Sequence, residues 1–210
     1  MSRKSMSDQS KTTTRNRDSR KLETRRRIIE AAIRVFSRDG ILASATAEVA
    51  KEAGLSHGSV FAHFGTQESL ISAVIEDFGE SLAKRLHELV ASGAGTREVL
   101  AAHLRAIEER EDFYARLVVE APLLPVGARD SLVAIQSSIC FHLSPAVAAE
   151  TRAKKIRPMP LYLLFNTWIG LVHHYLANRE LFAPGASVVE RRGEELLDHF
   201  TYLISKGGRR

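Results

Sequence analysis

From residue 24 onward, apolar side chains recur at intervals of three and four, the spacing of helices that each bury one face. No stretch shows the β-branched alternation of a strand, so the pattern predicts an all-α chain. A first helix starts at Thr24 and carries Ile28, Ile29, Ala32, Val35 and Phe36 inward; Asp39-Gly40 ends it. Ser44 is placed to cap a second helix with Val49, Ala50 and Ala53 on its inner side. Gly54-Leu55-Ser56 breaks that helix, and Ser56 can cap a third running to about His63. A fourth opens at Thr66 or Gln67, with Leu70, Val74, Phe78, Leu82 and Leu86 at strict i, i+4 spacing.

After the linker Ser92-Gly93-Ala94-Gly95, Thr96 caps a helix reaching about Glu109, and another carries Phe113, Leu117 and Val118 up to Pro122 and Pro125. A further helix starts near Ala128 and extends towards Lys155, with Ser144-Pro145 as a kink or a new start. Two strongly apolar helices close the chain, about 160–179 and 186–205, separated by Ala183-Pro184-Gly185.

Charge changes the picture at one end. Residues 1–27 hold ten Lys/Arg against three Asp/Glu, so the formal net charge of +5 comes entirely from the N-terminus. Residues 1–21 read as a basic arm, disordered in isolation because no apolar residue lies between Met6 and Leu22. Such an arm suits phosphates or a minor groove. The single Cys140 excludes an internal disulfide and a cysteine-built zinc site. With no apolar run of about 18 residues and no secretory leader, no membrane role and a cytoplasmic location are expected.

The second and third helices have helix-turn-helix spacing over residues 45–64. Ala50 is small where helices cross, Gly54 lies in the turn, and Val60 locks the second helix at an offset of ten. The surrounding residues make this short pattern specific. Thr24-Arg25-Arg26-Arg27-Ile28-Ile29-Glu30-Ala31-Ala32, Phe36, Gly40, Glu48-Val49-Ala50, Ala53-Gly54-Leu55-Ser56, Gly58-Ser59-Val60-Phe61, His63-Phe64 and Glu68-Ser69-Leu70 together resemble the TetR family of regulators.

The resemblance implies an all-helical homodimer that binds a pseudo-palindromic operator in double-stranded DNA, its third helix in the major groove. It implies phosphate contacts from Ser44 and Thr46, from Ser56 and Ser59, and from His63. Exposed N–H groups at helix starts favour anions independently of any family. His57 takes the variable reading position, and Gly58 permits close backbone approach. Arg25, Arg26, Phe61 and Gln67 complete the expected DNA-binding set.

Three positions depart from the family's habit: Phe61 replaces a Tyr, Ala47 an Arg, and Gln67 a Lys. Residues 28–67 carry three basic and four acidic side chains, so the reading head is poor in cations. The arm between Arg15 and Arg27 is therefore expected to supply affinity.

For the second half, the resemblance implies a small-molecule effector site and a dimer made by the last two helices. The effector is expected to be apolar, with Phe113, Tyr114, Leu117, His142, Phe165, Trp168 and His173 as candidate walls. Leu164 and Leu171, with Val189, Gly193, Leu196, Phe200 and Leu203, are the candidate dimer residues. His173-His174 is no metal site by itself, since neighbours on a helix point about 100° apart. No cofactor is implied.

The expected organisation is a basic arm (1–21), a helix-turn-helix domain (22–82) and a helical ligand-binding and dimerisation domain (83–210). The favoured function is a repressor released from its operator by ligand, not an enzyme. Two other classes stay open on sequence alone. One is a ligand-binding or enzymatic helical domain with a vestigial DNA head; the other is an architectural protein that binds DNA without sequence choice. Against an enzyme, no Ser/His/Asp, paired-carboxylate or Gly-rich phosphate motif rises above chance.

Overall fold

The computed structural model describes residues 4–207, with side chains from residue 16. Ten α-helices and one 3-10 turn make up these residues: α1 (Lys4–Asp39), α2 (Thr46–Glu52), α3 (His57–Phe64), α4 (Gln67–Leu89), α5 (Thr96–Glu108), α6 (Glu111–Glu120), the 3-10 turn Ala121–Leu123, α7 (Val126–Arg152), α8 (Leu161–Ala177), α9 (Arg179–Phe182) and α10 (Val188–Ile204). The all-α expectation holds. The chain divides into two compact units, Met1–Val74 and Ile75–Arg210, with the division inside α4.

α1 departs most from the sequence reading. It starts at Lys4 rather than Thr24, and the Thr24 hydroxyl donates to the Arg20 carbonyl at 2.8 Å inside the helix. The reason is local: no Gly or Pro occurs before Gly40, so nothing interrupts the helix once its apolar segment nucleates it. Part of the expected arm, from residue 16 to 21, is thus an exposed turn of helix. The rest of the arm's side chains lie outside the described residues. In the first unit Ile28, Ala31, Ala32, Val35 and Phe36 of α1 are buried, as are Val49, Ala50, Val60 and Phe64 of α2 and α3.

In the second unit α5 packs on α10 and α7, and α6 packs on α8. Phe78, Phe113 and Tyr114 form one ring cluster, with Phe78 5.1 Å from Phe113 and 5.7 Å from Tyr114. Trp168 and Phe200 form another at 5.2 Å. α7 runs through Pro145 without a break, so Ser144-Pro145 starts no new helix. It is also the one described helix long and apolar enough to cross a membrane, with mean hydropathy 1.5 over its most apolar window. Its inner residues Ile135, Ile139 and Leu143 are buried in the unit's core. α9 was not expected, because four residues are too few to carry a period.

The end of α10 is fastened by an antiparallel bridge between Ile156 and Ser205, flanked by Arg157 N–H to Ile204 (2.8 Å) and Lys206 N–H to Lys155 (2.9 Å). Its start is held by Glu111, whose buried carboxylate accepts from the Ser187 hydroxyl at 2.6 Å and from the N–H groups of Val188 at 2.8 Å and Val189 at 3.1 Å. A carboxylate at a helix start answers both the open N–H groups and the dipole.

The candidate dimer residues differ in burial. Leu164, Gly193, Leu196 and Phe200 are buried within one chain, facing its own core. A Cβ on Gly193 would meet Leu104 Cδ1 at 3.5 Å, so this glycine serves the approach of α10 to α5. Leu171 and Val189 are half-buried, and only Leu203 among the seven is exposed. Both faces of α8 are apolar, and periodicity alone does not say which of two apolar faces turns inward.

Candidate nucleic-acid interface

The first unit builds its outer surface from α1 upward. Arg27, on the exposed side of α1, reaches the turn after α2: its Nε donates to the Ala53 carbonyl at 2.8 Å and its Nη2 to the Gly54 carbonyl at 3.1 Å. Gly54 has φ +63°, a left-handed conformation in which a Cβ is strained, which is why glycine stands in this turn. A planar guanidinium across two free carbonyls fixes the angle at which α3 leaves α2. Sequence reading had no signal for this role; Arg27 looked like one more basic residue of the arm. Arg34 adds an ion pair with Glu52 at 2.8 Å, so two of the head's few charges brace α1 against α2.

Ser56 caps α3 as expected: its Oγ accepts from the Ser59 N–H at 3.2 Å and lies 2.9 Å from the Ser59 hydroxyl. Ser44 does not cap α2. The N-cap is Ala45, whose N–H donates to Glu48 Oε2 at 2.9 Å. The Ser44 side chain is 2% exposed and its hydroxyl donates to the Gly40 carbonyl at 2.5 Å, which closes the loop after α1. Gln67 is likewise engaged, its Nε2 donating to the Ser44 carbonyl at 2.9 Å. Thr46 remains half-buried at the opening of α2.

α3 turns Val60 and Phe64 inward and leaves His57, Gly58, Phe61 and Ala62 exposed. Phe61 is 47% exposed and its ring lies 5.0 Å from that of His57. A Cβ on Gly58 would meet nothing closer than Ser56 Oγ at 4.0 Å, so nothing inside the chain requires glycine there.

Beside this face, Asp18, Lys21, Leu22 and Arg25 of α1 and His63 of α3 line an open groove of about 430 Å³. The Arg25 guanidinium sits over the Phe64 ring, 4.5 Å from its centre. Burial, and then the charges of Lys21 and Arg25, push the His63 imidazole below its ordinary pKa. Arg26 is exposed on the neighbouring face of α1. Lys21 and Arg25 are four residues apart, so one helix face delivers both cations to the edge of α3.

This arrangement defines a helix-turn-helix protein with a cationic border along its second helix. Residues 28–74 match the model of the bacterial regulatory proteins of the tetR family. A helix-turn-helix transcriptional repressor of Mycobacterium tuberculosis is 36% identical over 75 residues, which cover 33% of this chain and 40% of that relative. Two solved structures share the whole fold. One is the TetR-family regulator PfmR of Thermus thermophilus, with TM-score 0.68 at 20% identity, covering 87% of this chain and 99% of that one. The other is the regulator FadR of Bacillus subtilis in complex with stearoyl-CoA, with TM-score 0.70 at 16% identity, covering 87% of this chain and 98% of that one. Residues 28–74 thus carry the helix-turn-helix domain of the TetR family. The chain spans well under half the length of the curated relatives it matches.

Proposed function

We propose that this protein is a transcriptional repressor that works in the cytoplasm as a homodimer, reads a pseudo-palindromic operator with α3, and is released by a small apolar effector held in its second unit. The observation that carries the DNA reading is the exposed His57–Gly58–Phe61 face of α3, bordered by Lys21, Arg25 and His63. His57 and Phe61 meet base edges and the thymine methyl, while Ser56 and Ser59 present a helix start to a phosphate. Lys21 and Arg25 supply phosphate attraction beyond the single Lys51 of α2. The complex of FadR with stearoyl-CoA supports an apolar effector, since that neighbour shares the fold of the second unit.

The dimer is assigned to the outward faces of α8 and α10, where Tyr162, Leu163, Tyr202 and Leu203 are exposed. Gly170, with open space around the position of a Cβ, permits a second helix to come close.

The test is a mobility shift of the full chain on the duplex flanking its own gene. A specific complex is expected at moderate salt. The double variant Lys21→Ala/Arg25→Ala removes two cations from each protomer and should keep the sequence preference while reducing the slope of log K against log salt by about 4. Equal affinity for random duplex would favour an architectural protein, and no retardation at all would sink the repressor.

A further inference from the structure

His103 on α5 is fully buried, and its Nδ1 accepts the indole N–H of Trp168 at 3.1 Å. An indole nitrogen only donates, so Nδ1 carries no proton and the imidazole proton sits on Nε2. That Nε2 is buried and has no hydrogen-bond partner among the described residues. Burial, aided by the nearby His173, holds the His103 pKa to about 3, so the ring is neutral and the Nε2–H is a donor across the physiological range. A second polar pair lies in the same unit: the Tyr114 hydroxyl is 2.9 Å from His173 Nε2. Apolar rings surround both, Phe78 against Tyr114 and Phe200 against Trp168.

A buried donor without an acceptor is disfavoured, and native cores rarely keep one. We propose that the Nε2–H of His103 is the polar anchor of the effector site, and that the effector is an apolar molecule bearing one carbonyl-type acceptor, as in a ketone, ester or carboxylate. This rests on the reading above that the second unit holds an effector. The anchor offers a proton, so it selects an oxygen lone pair and rejects a cationic head. The aromatic walls take the apolar remainder.

Trp168 is the only tryptophan and is bonded to the proposed anchor, so its emission reports on the site. The full chain is titrated with methyl decanoate, decanoate and decyltrimethylammonium, which has the same chain length and no acceptor. The ester, the carboxylate or both are expected to shift Trp168 emission and raise Tm by several degrees, and the cation to do neither. His103→Phe and His103→Leu each remove the donor and should weaken binding at least tenfold. His103→Gln keeps a donor and should bind within a few-fold of the parent. Whichever donor-free variant folds serves the comparison, with cooperative melting as the control. Equal binding by parent and donor-free variant overturns the proposal. So does the absence of any response to both acceptor probes, the outcome expected if the site holds only water. Operator retardation is measured on the same samples without probe: probe failure with retardation intact removes the anchor alone, and lost retardation with probe binding intact removes the DNA reading alone.

Discussion

At the scale of single residues, two groups carry costs that the fold does not need. Gly58 sits in the first turn of α3, where alanine would fit without a clash. Glycine in a helix is less stable than alanine by about 0.5–1 kcal/mol. Gly58→Ala is therefore expected to raise Tm and, on the proposed reading of α3 as the DNA-reading helix, to weaken specific DNA binding. A variant that gains stability and keeps full affinity would remove Gly58 from the interface.

The buried histidines give the second residue-scale prediction. Burial lowers His103 to about 3 and His173 to about 4, whereas in the unfolded chain each titrates near its ordinary value. Between those limits the unfolded state binds more protons, so stability rises with pH there. The contribution is complete above about pH 6.5 and is lost as pH falls, by roughly 2 kcal/mol per histidine at pH 5. Urea melts at pH 7.5, 6.5 and 5 should show the loss, and His103→Gln/His173→Gln should flatten it. An unchanged slope in the double variant would show that carboxylates govern the acid limb. Tyr114, pushed upward by burial, stays protonated throughout.

At the scale of elements, helix ends decide what helix interiors leave open. α10 starts on the carboxylate of Glu111, which belongs to α6 and lies far away in sequence. Glu111→Ala leaves the buried Val188 N–H, the half-buried Val189 N–H and the Ser187 hydroxyl without their acceptor, so a loss of about 2–3 kcal/mol is expected in chemical denaturation. Glu111→Gln keeps one acceptor and should lose less. α3 shows the same principle from the other side: Ser56 was legible as its cap because an N-cap hydroxyl acts over three residues of local sequence. Ser44 looked equivalent and is not, because Gly40 takes its hydroxyl and moves the cap to Ala45. Arg27 was invisible for the complementary reason. Its partners Ala53 and Gly54 are distant in sequence, and a carbonyl leaves no mark in residue types.

At the scale of the whole molecule, the outward strips of α8 and α10 set the expected assembly. Leu163→Glu or Leu203→Glu should convert a dimer to a monomer in sedimentation velocity with the far-ultraviolet spectrum unchanged. Leu196→Ala lies in the core instead and should cost about 2–5 kcal/mol of stability without splitting a dimer. A dimer that survives both Glu variants would place the interface elsewhere.

The amino-acid order by itself determined the all-α class, most helix limits after Gly40, the turn at Gly54, the capped start of α3 and the excess of cations before Ile28. These depend on periodicity, on glycine conformation and on caps, all of which act within a few residues. Only the tertiary structure decided that Lys21 and Arg25 border His63, that Arg27 closes the turn, that Glu111 starts α10, and that Leu164, Leu196 and Phe200 face inward. Each of these joins residues distant in the chain. Which apolar face meets the core, and which donor in it is left without an acceptor, depends on every helix packed around it.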